Sequence, residues 1–439
     1  MIGESSNRIA MEEGAEDRIS NFPQNVIDHI LDCLPIRDAA RTSSLSSKWR
    51  HYWAEYPNLV LDDQFTEEIK QKRNLLRFEV DYVNIVSGIL LQHQGAITKF
   101  VLHFPEMILY LFDLNSNTDE WNIYSNINNW MMFLSRKGLR ELTLQNSNPD
   151  PYRIPLYLFS CLKLTYMSIS RCIFRAPVSS RGFANLTTLV LSEVTFESSV
   201  LIIPQLHVLN LRNCSGIRLL NISTPLLRRL TLLDNDDFEL RSYMNCKSLV
   251  HAYIGVSNKV ELGRQDESVS LTTILGCWPK ISALYLDGST LDRLTAGTVP
   301  ESLPSRIMHL KYLALFRISY HPNEIACILC LLRSSPNLSR LEIWTHRTIN
   351  SSMETVEFLE EPGVMGQKMY RLKTVMMKHY MGSAAELVFV KLLLTSSPSL
   401  ERICVEWRKN LAPSERLKAD ELIQFARASS KAQVIFKPI

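Results

Sequence analysis

The sequence predicts an α/β fold in which a short helical segment near the N-terminus precedes a long α/β solenoid. The chain has 439 residues, whereas a single compact core rarely exceeds about 250–300, so several domains or an elongated repeat array are expected. One hydrophobic frame recurs along most of the chain, which is typical of solenoids. Residues 17–57 lack that frame, and their apolar residues follow helical spacing instead.

Composition and charge narrow the class of partner. Hydrophobic residues make up 46% of the chain and charged residues 21%, the usual balance of an ordered soluble protein. The net charge of +3 is close to neutral, so neither nucleic acid nor an anionic membrane surface is expected as the main partner. The longest apolar run, Ile325–Leu332, is far shorter than the roughly 20 residues that a membrane-spanning helix needs.

The N-terminus and the cysteines indicate the compartment. Residues 1–16 are polar and acidic and have no apolar stretch of the kind found in secretory signals, so we expect a disordered leader there. The nine cysteines are scattered and odd in number, which is typical of reduced thiols. We therefore expect the protein in the cytoplasm, the nucleus or both.

Residues 17–57 predict two or more short helices with a continuous apolar stripe. Pro23 suits the first turn of a helix, and Pro35 and Pro57 suit positions at which helices end. A unit of about 40 residues rarely buries a core by itself, so the stripe either docks on a partner or packs on the rest of this chain. Its apolar residues are Val26, Ile27, Ile30, Leu31 and Leu34, followed by Leu45, Trp49 and Trp53.

The repeat frame consists of an apolar residue, two variable residues, an apolar residue, one variable residue and an apolar residue. Leucine-rich repeats add an Asn or Cys three residues later, a position that Cys172, Cys214 and Asn235 occupy. The frame begins at Ile97, Leu139, Leu164, Leu186, Leu206, Leu227, Leu249, Ile281, Leu310, Leu338, Leu372 and Leu400. Because no single repeat can bury its apolar residues alone, neighbouring repeats are expected to stack into a leucine-rich-repeat horseshoe.

The spacing between frames predicts where the helices lie. From Leu164 to Leu249 successive frames are 20–22 residues apart, which leaves room for little more than a strand and a turn. The outer frames are 25–42 residues apart and leave room for a helix on the convex side. Helices are expected at Leu75–Gln92, Trp121–Arg136, Asn323–Arg333, Ala384–Thr395 and Lys418–Ala428, with a last strand at Gln433–Phe436.

The variable positions of each frame point away from the core and line the inner, concave wall of the predicted solenoid. Tyrosine and arginine are favoured at protein interfaces. These side chains are therefore candidates for binding a protein substrate, although exposed strand residues of no particular function would give the same pattern. The candidates are Tyr166, Arg229, His251, Tyr253, Tyr285, Tyr312, Arg340 and Arg402.

Motifs for catalysis or for a cofactor are absent from the sequence. It contains no Walker loop, no G-x-G-x-x-G, no H-E-x-x-H and no G-x-S-x-G. Cys327 and Cys330 form a C-x-x-C inside an apolar run without a second pair at zinc spacing, so we interpret them as small buried hydrophobic residues. We predict a protein that is not an enzyme and has no cofactor and no metal.

Residues 17–57 resemble the plant type of F-box. Phe22 stands where that family usually has leucine, and Asn25 where it usually has an acidic residue. The matching segments are Asp17 to Ser20 (Asp-Arg-Ile-Ser), the pair Phe22 and Pro23, Ile30 to Pro35, Arg41 to Ser43, and Leu45 to Trp53. Residues 355–436 resemble the FBD region found after the repeats in such proteins, through RLKTVMMKHYMGSAAELVFVKLLLTSSPSLERICV and the terminal QVIF.

This resemblance implies a role and a division of the chain. In that family the F-box docks on a Skp-family adaptor and through it on a cullin–RING ubiquitin ligase, while the repeats select the protein to be ubiquitinated. It implies a leader at 1–16, an F-box at 17–57, a leucine-rich-repeat solenoid at 58–354 and an FBD region at 355–439. By position, the adaptor contact would be formed by Phe22, Pro23, Val26, Ile27, Ile30, Leu31, Leu34, Leu45, Trp49 and Trp53.

Two alternatives remain open on the sequence. The chain could be a leucine-rich-repeat scaffold or binding protein that engages the adaptor without causing degradation of what it binds. It could also be an enzyme with an unfamiliar site, which would require a cluster of titratable groups converging in a pocket. For a subunit that selects proteins for ubiquitination, the substrate is an unknown protein.

Overall fold

The computed structural model divides the chain into two compact units, Met1–Leu139 and Arg140–Ile439, called here the N-terminal and C-terminal units. The predicted leader lies outside the described residues. The structure describes residues 19–72, 78–106, 123–175, 183–197, 203–217, 224–235, 240–255, 270–294, 299–346, 352–407 and 421–438.

The N-terminal unit begins with three short helices after a 3-10 turn at Ile19–Asn21. Pro23 and Pro35 stand immediately before the first and second of these helices, and the Ser46 hydroxyl accepts a hydrogen bond from the backbone N–H of Trp49 at the start of the third. The three are α1 (Gln24–Asp32), α2 (Ile36–Thr42) and α3 (Ser47–Glu55).

The rest of this unit contains a parallel pair of strands and further helices. The parallel pair is β1 and β2, whose register places Leu59 opposite Phe100. The elements are β1 (Asn58–Leu61), α4 (Asp63–Lys72), α5 (Phe78–Gln92), β2 (Lys99–Phe104) and α6 (Ile123–Ser135).

The end of α3 is bonded to the turn that follows α5. The backbone N–H groups of Gln94 and Gly95 donate to the carbonyl of Ala54 at 2.9 and 3.2 Å. The Trp53 ring packs edge-on against His93, with centroids 5.1 Å apart. The end of α3 is therefore packed on the rest of the N-terminal unit. For Trp53, this is the internal packing that the sequence left open as the alternative to docking on a partner.

The C-terminal unit is built on one long parallel sheet in the order β3-β5-β7-β9-β10-β11-β12-β13-β14-β15-β16-β17, with a small second sheet in the order β4-β6-β8. The strands are β3 (Glu141–Asn146), β4 (Tyr152–Arg153), β5 (Tyr166–Ser170), β6 (Cys172–Phe174), β7 (Thr188–Ser192), β8 (Thr195–Phe196), β9 (Val208–Arg212), β10 (Arg229–Leu233), β11 (His251–Gly255), β12 (Ala283–Asp287), β13 (Tyr312–Ile318), β14 (Arg340–Thr345), β15 (Thr374–Tyr380), β16 (Arg402–Trp407) and β17 (Gln433–Pro438).

Helices lie in the longer connections of this unit. They are α7 (Leu271–Cys277), α8 (Gly288–Leu294), α9 (Pro322–Ser334), α10 (Met353–Glu360) and α11 (Ala384–Ser396). The predicted helices at 323–333 and 384–395 are confirmed as α9 and α11, and in the N-terminal unit those at 75–92 and 121–136 are confirmed, over their described parts, as α5 and α6. The predicted strand at Gln433–Phe436 is confirmed as β17.

The predicted helix at Lys418–Ala428 is wrong at its C-terminal end. Within its described part, residues 421–424 are helical and residues 425–428 are not. The backbone N–H of Ala428 donates to the carbonyl of Leu394, and the Arg427 guanidinium donates to the carbonyls of Ile423 and Ala432. The bond from Ala428 to Leu394 and the two bonds of the Arg427 side chain stand where periodicity alone predicts helical hydrogen bonds.

The repeat frame supplies the core of the sheet. In the repeat that contains β7, for example, Leu186, Leu189 and Leu191 are fully buried, while the residues between them are half-buried. Asn235 connects neighbouring repeats: its side chain accepts from the backbone N–H of Cys214 and donates to the carbonyl of Leu211, both at 2.9 Å. The Asn-or-Cys position of the repeat thus satisfies backbone groups that the turns would otherwise leave unpaired.

Candidate protein-interaction surfaces

The ten predicted adaptor residues separate into a buried and an accessible set. Ile27, Leu31, Trp49 and Trp53 are between 0% and 7% exposed, so the assignment of these four to a partner contact is corrected: they form the core of the N-terminal unit. The accessible set, called here the F-box face, consists of Phe22, Pro23, Val26, Ile30, Leu34 and Leu45.

Helical geometry explains why one stripe contains both sets. Val26 and Ile30 form an i,i+4 pair, and Ile27 and Leu31 form another that is rotated by one residue, or about 100°. Both pairs have the same periodicity, so the sequence cannot distinguish the inward face of α1 from the outward one. Leu45 lies just before α3 and is 68% exposed.

Polar contacts hold the F-box face in place. The Tyr52 hydroxyl donates to the carbonyl of Ser20 at 2.9 Å, and the Lys48 ammonium donates to Asn21 at 2.6 Å. These bonds fix the 3-10 turn on α3 and hold Phe22, which is 44% exposed, at the edge of the face. Ile19, in the same turn, is 54% exposed and was not among the predicted residues.

A second set of hydrogen bonds connects α1 to the start of β1. The carboxylate of Asp32 accepts hydrogen bonds from the Tyr56 hydroxyl and from Asn58, the latter at 2.9 Å. Burial and the adjacent Asp32 carboxylate raise the pKa of Tyr56, which keeps this phenol protonated and donating. The F-box face is therefore carried by a rigid support.

The sheet of the C-terminal unit carries the predicted substrate residues, and the structure brings four of them together. The rings of Tyr253 and Tyr285 stack with centroids 5.1 Å apart, Tyr285 and Tyr312 meet edge to face at 5.1 Å, and the Arg340 guanidinium lies 5.3 Å from the centre of the Tyr312 ring.

The other four predicted residues lie elsewhere on the sheet. Arg229 and His251 are cross-strand partners at the start of β10 and β11. Arg402 lies on β16, two strands beyond Arg340. Tyr166 lies on β5, four strands before Tyr253, or about 19 Å at the usual strand spacing, and so is not part of the tyrosine group.

Phe316 and Trp344 complete the group and were not among the predicted residues. Phe316 lies 5.3 Å from Tyr253 and 5.2 Å from Trp344, measured between ring centroids. Each directly follows the last apolar residue of its frame, at a position for which the repeat pattern specifies no residue type. Side chains alternate between the two faces of a strand. Following this alternation from Tyr312 to Phe316 in β13 and from Arg340 to Trp344 in β14 would have identified both residues. The ring cluster is defined as Tyr253, Tyr285, Tyr312, Phe316 and Trp344.

Glu342 lies within the ring cluster and is only 5% exposed. Its carboxylate accepts hydrogen bonds from the Tyr312 hydroxyl and the Trp344 indole N–H at 2.7 Å each, and from the Lys378 ammonium at 3.0 Å. Burial by itself would raise the pKa of Glu342, but these hydrogen bonds outweigh it and hold the pKa below its usual value. The buried charge orients three of its neighbours.

Two β-bulges border the cluster. The register shifts between Leu315 and Ile318 in β13 and between Met377 and Tyr380 in β15. Arg317 in the first bulge has a φ of 54°, and its guanidinium contacts the carboxylate of Asp287. Bulges re-aim side chains and are frequent at binding sites.

The two cysteines of the C-x-x-C lie in the core of the C-terminal unit. Cys327 and Cys330 are fully buried, as the sequence predicts, and burial raises the pKa of Cys327 to about 12. Among the described residues, no three His, Cys, Asp or Glu side chains are grouped so that they could hold a metal ion. Across the same part of the chain, none of the helices has the length and apolar character needed to span a membrane.

Three packed N-terminal helices followed by stacked strands of one frame define the class of protein: an F-box module joined to leucine-rich repeats. The F-box domain family matches residues 19–60. The family described as "FBD-associated F-box protein At5g56370, LRR repeats" matches residues 127–343.

Relatives from Arabidopsis thaliana extend this similarity over nearly the whole chain. The F-box/FBD/LRR-repeat protein At1g13570 is 30% identical over 96% of this chain and 98% of its own length. The F-box/LRR-repeat protein At4g14103 is 25% identical over 75% of this chain and 91% of its own length. The chain belongs to the plant F-box/FBD/LRR-repeat family, which confirms the resemblance seen in the sequence.

Proposed function

We propose that this chain is the substrate-recognition subunit of a Skp–cullin–F-box ubiquitin ligase. The F-box face docks on a Skp-family adaptor, and the outward face of the C-terminal sheet binds the target protein. The observation that carries the proposal is the F-box face itself: a module that matches the F-box domain keeps six apolar residues accessible while four others form its core. Exposed apolar patches of this kind mark partner surfaces.

The chain would contribute binding and no chemistry. F-box/LRR proteins are generally adaptors without catalytic activity, and holding a target near a ubiquitin-carrying enzyme raises its effective concentration. Such a subunit needs no acid, base, nucleophile or cofactor. It would work in the cytoplasm, the nucleus or both, where the ligase components and reduced thiols are found.

The test is a pull-down of the full chain with a purified Skp-family adaptor. Leu34→Asp combined with Leu45→Asp places two charges on the F-box face, because these side chains are 37% and 68% exposed, and should weaken adaptor binding at least a hundredfold. Leu91→Asp is the matched control, since Leu91 in α5 is 82% exposed and lies outside the face.

Adaptor binding by the wild type and by the Leu91 variant, but not by the double variant, supports the proposal. Equal binding by all three would contradict it. If the adaptor binds but cullin and RING subunits do not join the complex, the chain is better described by the alternative, a leucine-rich-repeat scaffold that does not lead to degradation.

A further inference from the structure

The strands of the C-terminal sheet begin at a strongly basic edge. The first residue of each strand from β10 to β16 and the residue just before it include one carboxylate, Glu401, and Lys373 pairs with it at 3.1 Å. The cations at these positions, called here the basic rim, are all exposed: Arg228, Arg229, Lys311, Arg340, Lys373 and Arg402.

Beyond the rim, each of the carboxylates near the ring cluster contacts a cation. Asp287 is 3% exposed and is engaged by Arg317, which also lies 3.8 Å from Asp234. Glu342 is 5% exposed and is paired with Lys378. The single cation Arg317 serves both Asp287 and Asp234, and Glu342 also lies 3.8 Å from the rim cation Arg340. The excess positive charge that a partner would meet lies at the strand starts, where six exposed cations stand beside one carboxylate.

The ring cluster adjoins the rim through Arg340, whose guanidinium lies over the Tyr312 ring. The five rings are half-buried. The planes of Tyr253, Tyr285 and Phe316 lie within 10–23° of one another, so these rings cover one another's faces. The Tyr312 hydroxyl and the Trp344 N–H are already bonded to Glu342, so these two side chains offer a partner mainly their apolar ring surface. This arrangement suits an inserted apolar or aromatic side chain better than a nucleic acid base, which needs an open ring face on which to stack.

We propose that the basic rim and the ring cluster together bind an acidic segment of a target protein, with its carboxylates along the rim and one large apolar or aromatic side chain on the ring cluster. This inference rests on the proposed function and specifies its substrate class. From β10 to β16 the rim spans about 29 Å, which corresponds to about nine residues of extended chain. The segment is therefore short and linear.

The experiment selects binders from a displayed library of random peptides, each about twelve residues long, on the immobilised full chain. Enriched peptides should be rich in Asp and Glu around an aromatic or large aliphatic residue. Their affinity is then measured by fluorescence anisotropy, and it should fall as salt is added.

Two variants locate the site. Arg229→Glu combined with Arg402→Glu should weaken the enriched peptides about tenfold or more, and Phe316→Ala should do the same. Arg293→Glu, on the exposed side of α8, is the matched control and should leave binding unchanged. Thermal unfolding of each variant verifies that the rim charge reversals leave the fold intact.

Three results would overturn the inference: enrichment of basic or uncharged peptides, enriched acidic peptides that bind the rim variant as well as the wild type, or tighter binding of a single-stranded oligouridylate of equal charge. The last would assign the surface to nucleic acid. Because the selection does not use the adaptor, its failure is independent of the pull-down: a chain that binds the adaptor and selects no acidic peptide loses only this inference.

Discussion

Buried glutamates show how differently one residue type behaves in two places of the same unit. Glu342 receives hydrogen bonds from Tyr312, Trp344 and Lys378, and its pKa is held below the usual value. Glu324, 2% exposed, accepts hydrogen bonds from backbone N–H groups, among them those of Ser319 and His321. Because these backbone groups do not outweigh the cost of burial, the charged form of Glu324 is disfavoured. The contributions of Glu324 and Glu342 to the stability of the fold should therefore change in opposite directions as pH rises.

Glu324 should make the protein less stable as pH rises. Burial first, and the nearby Asp292 carboxylate second, raise its pKa from 4.5 to about 7. The folded state therefore holds the proton more tightly than the unfolded chain, and this stabilisation is complete below about pH 4.5 and lost between pH 4.5 and 7. In Glu324→Gln this loss should disappear, a difference of up to about 3 kcal/mol in the free energy of unfolding across that interval.

Denaturant titrations of both proteins at several pH values would measure the effect. The difference between variant and wild type isolates Glu324 from the other titrating groups. A difference that does not change with pH between 4.5 and 7 would rule out this role for the Glu324 carboxylate.

At the scale of the elements, the joint between α3 and the turn after α5 determines how the F-box helices are supported. Gly95 approaches the backbone of α3 so closely that an added Cβ would lie 2.9 Å from the Glu55 Cα atom. A Cβ contact this short forces the backbone to move. The hydrogen bonds from Gln94 and Gly95 to Ala54 depend on the same approach.

Gly95→Ala should accordingly destabilise the protein by about 1–3 kcal/mol, in the range of other overpacked contacts. Gly88→Ala is a control with the same chemical change, because nothing lies within 4 Å of its added Cβ in α5. There alanine should stabilise the helix by about 0.5–1 kcal/mol. Thermal unfolding of both variants would measure these changes in stability. Equal shifts of the melting temperature would contradict the argument that an added Cβ at Gly95 meets the backbone of α3.

At the scale of the whole molecule, the F-box face and the outward face of the C-terminal sheet differ in how well water solvates them. The outward face of the sheet carries charged and polar groups that water can solvate. The F-box face carries Leu34 and Leu45 with large exposed fractions and no cover among the described residues. A chain with such a patch is expected to associate when its partner is missing.

Expressed without an adaptor, the full chain should elute in size-exclusion chromatography as aggregates, and co-expression with a Skp-family adaptor should restore a defined complex. Leu34→Asp combined with Leu45→Asp should increase the fraction of monomer in the absence of the adaptor. A wild-type chain that is monomeric and soluble by itself would contradict this expectation.

Local patterns in the amino-acid sequence were enough to predict the class of fold and the positions of most elements. A frame repeated about a dozen times has a purely local signature, and it predicted β2 and the strands of the long sheet from β3 to β16, the buried leucines and the Asn-or-Cys turns such as Asn235. The F-box match likewise depends on a contiguous motif. Helices α9 and α11 were found because the long gaps between frames leave room for them.

Only the tertiary structure decided which apolar residues of the N-terminal helices face inward, since Ile27 and Ile30 differ by less than one helical turn and have the same chemistry. Only strand pairing brought Tyr253, Tyr285 and Tyr312 together with Phe316 and Trp344. Their approach depends on register across neighbouring repeats. Periodicity is a property of each segment alone, whereas accessibility and ring contacts belong to pairs of segments far apart in the chain.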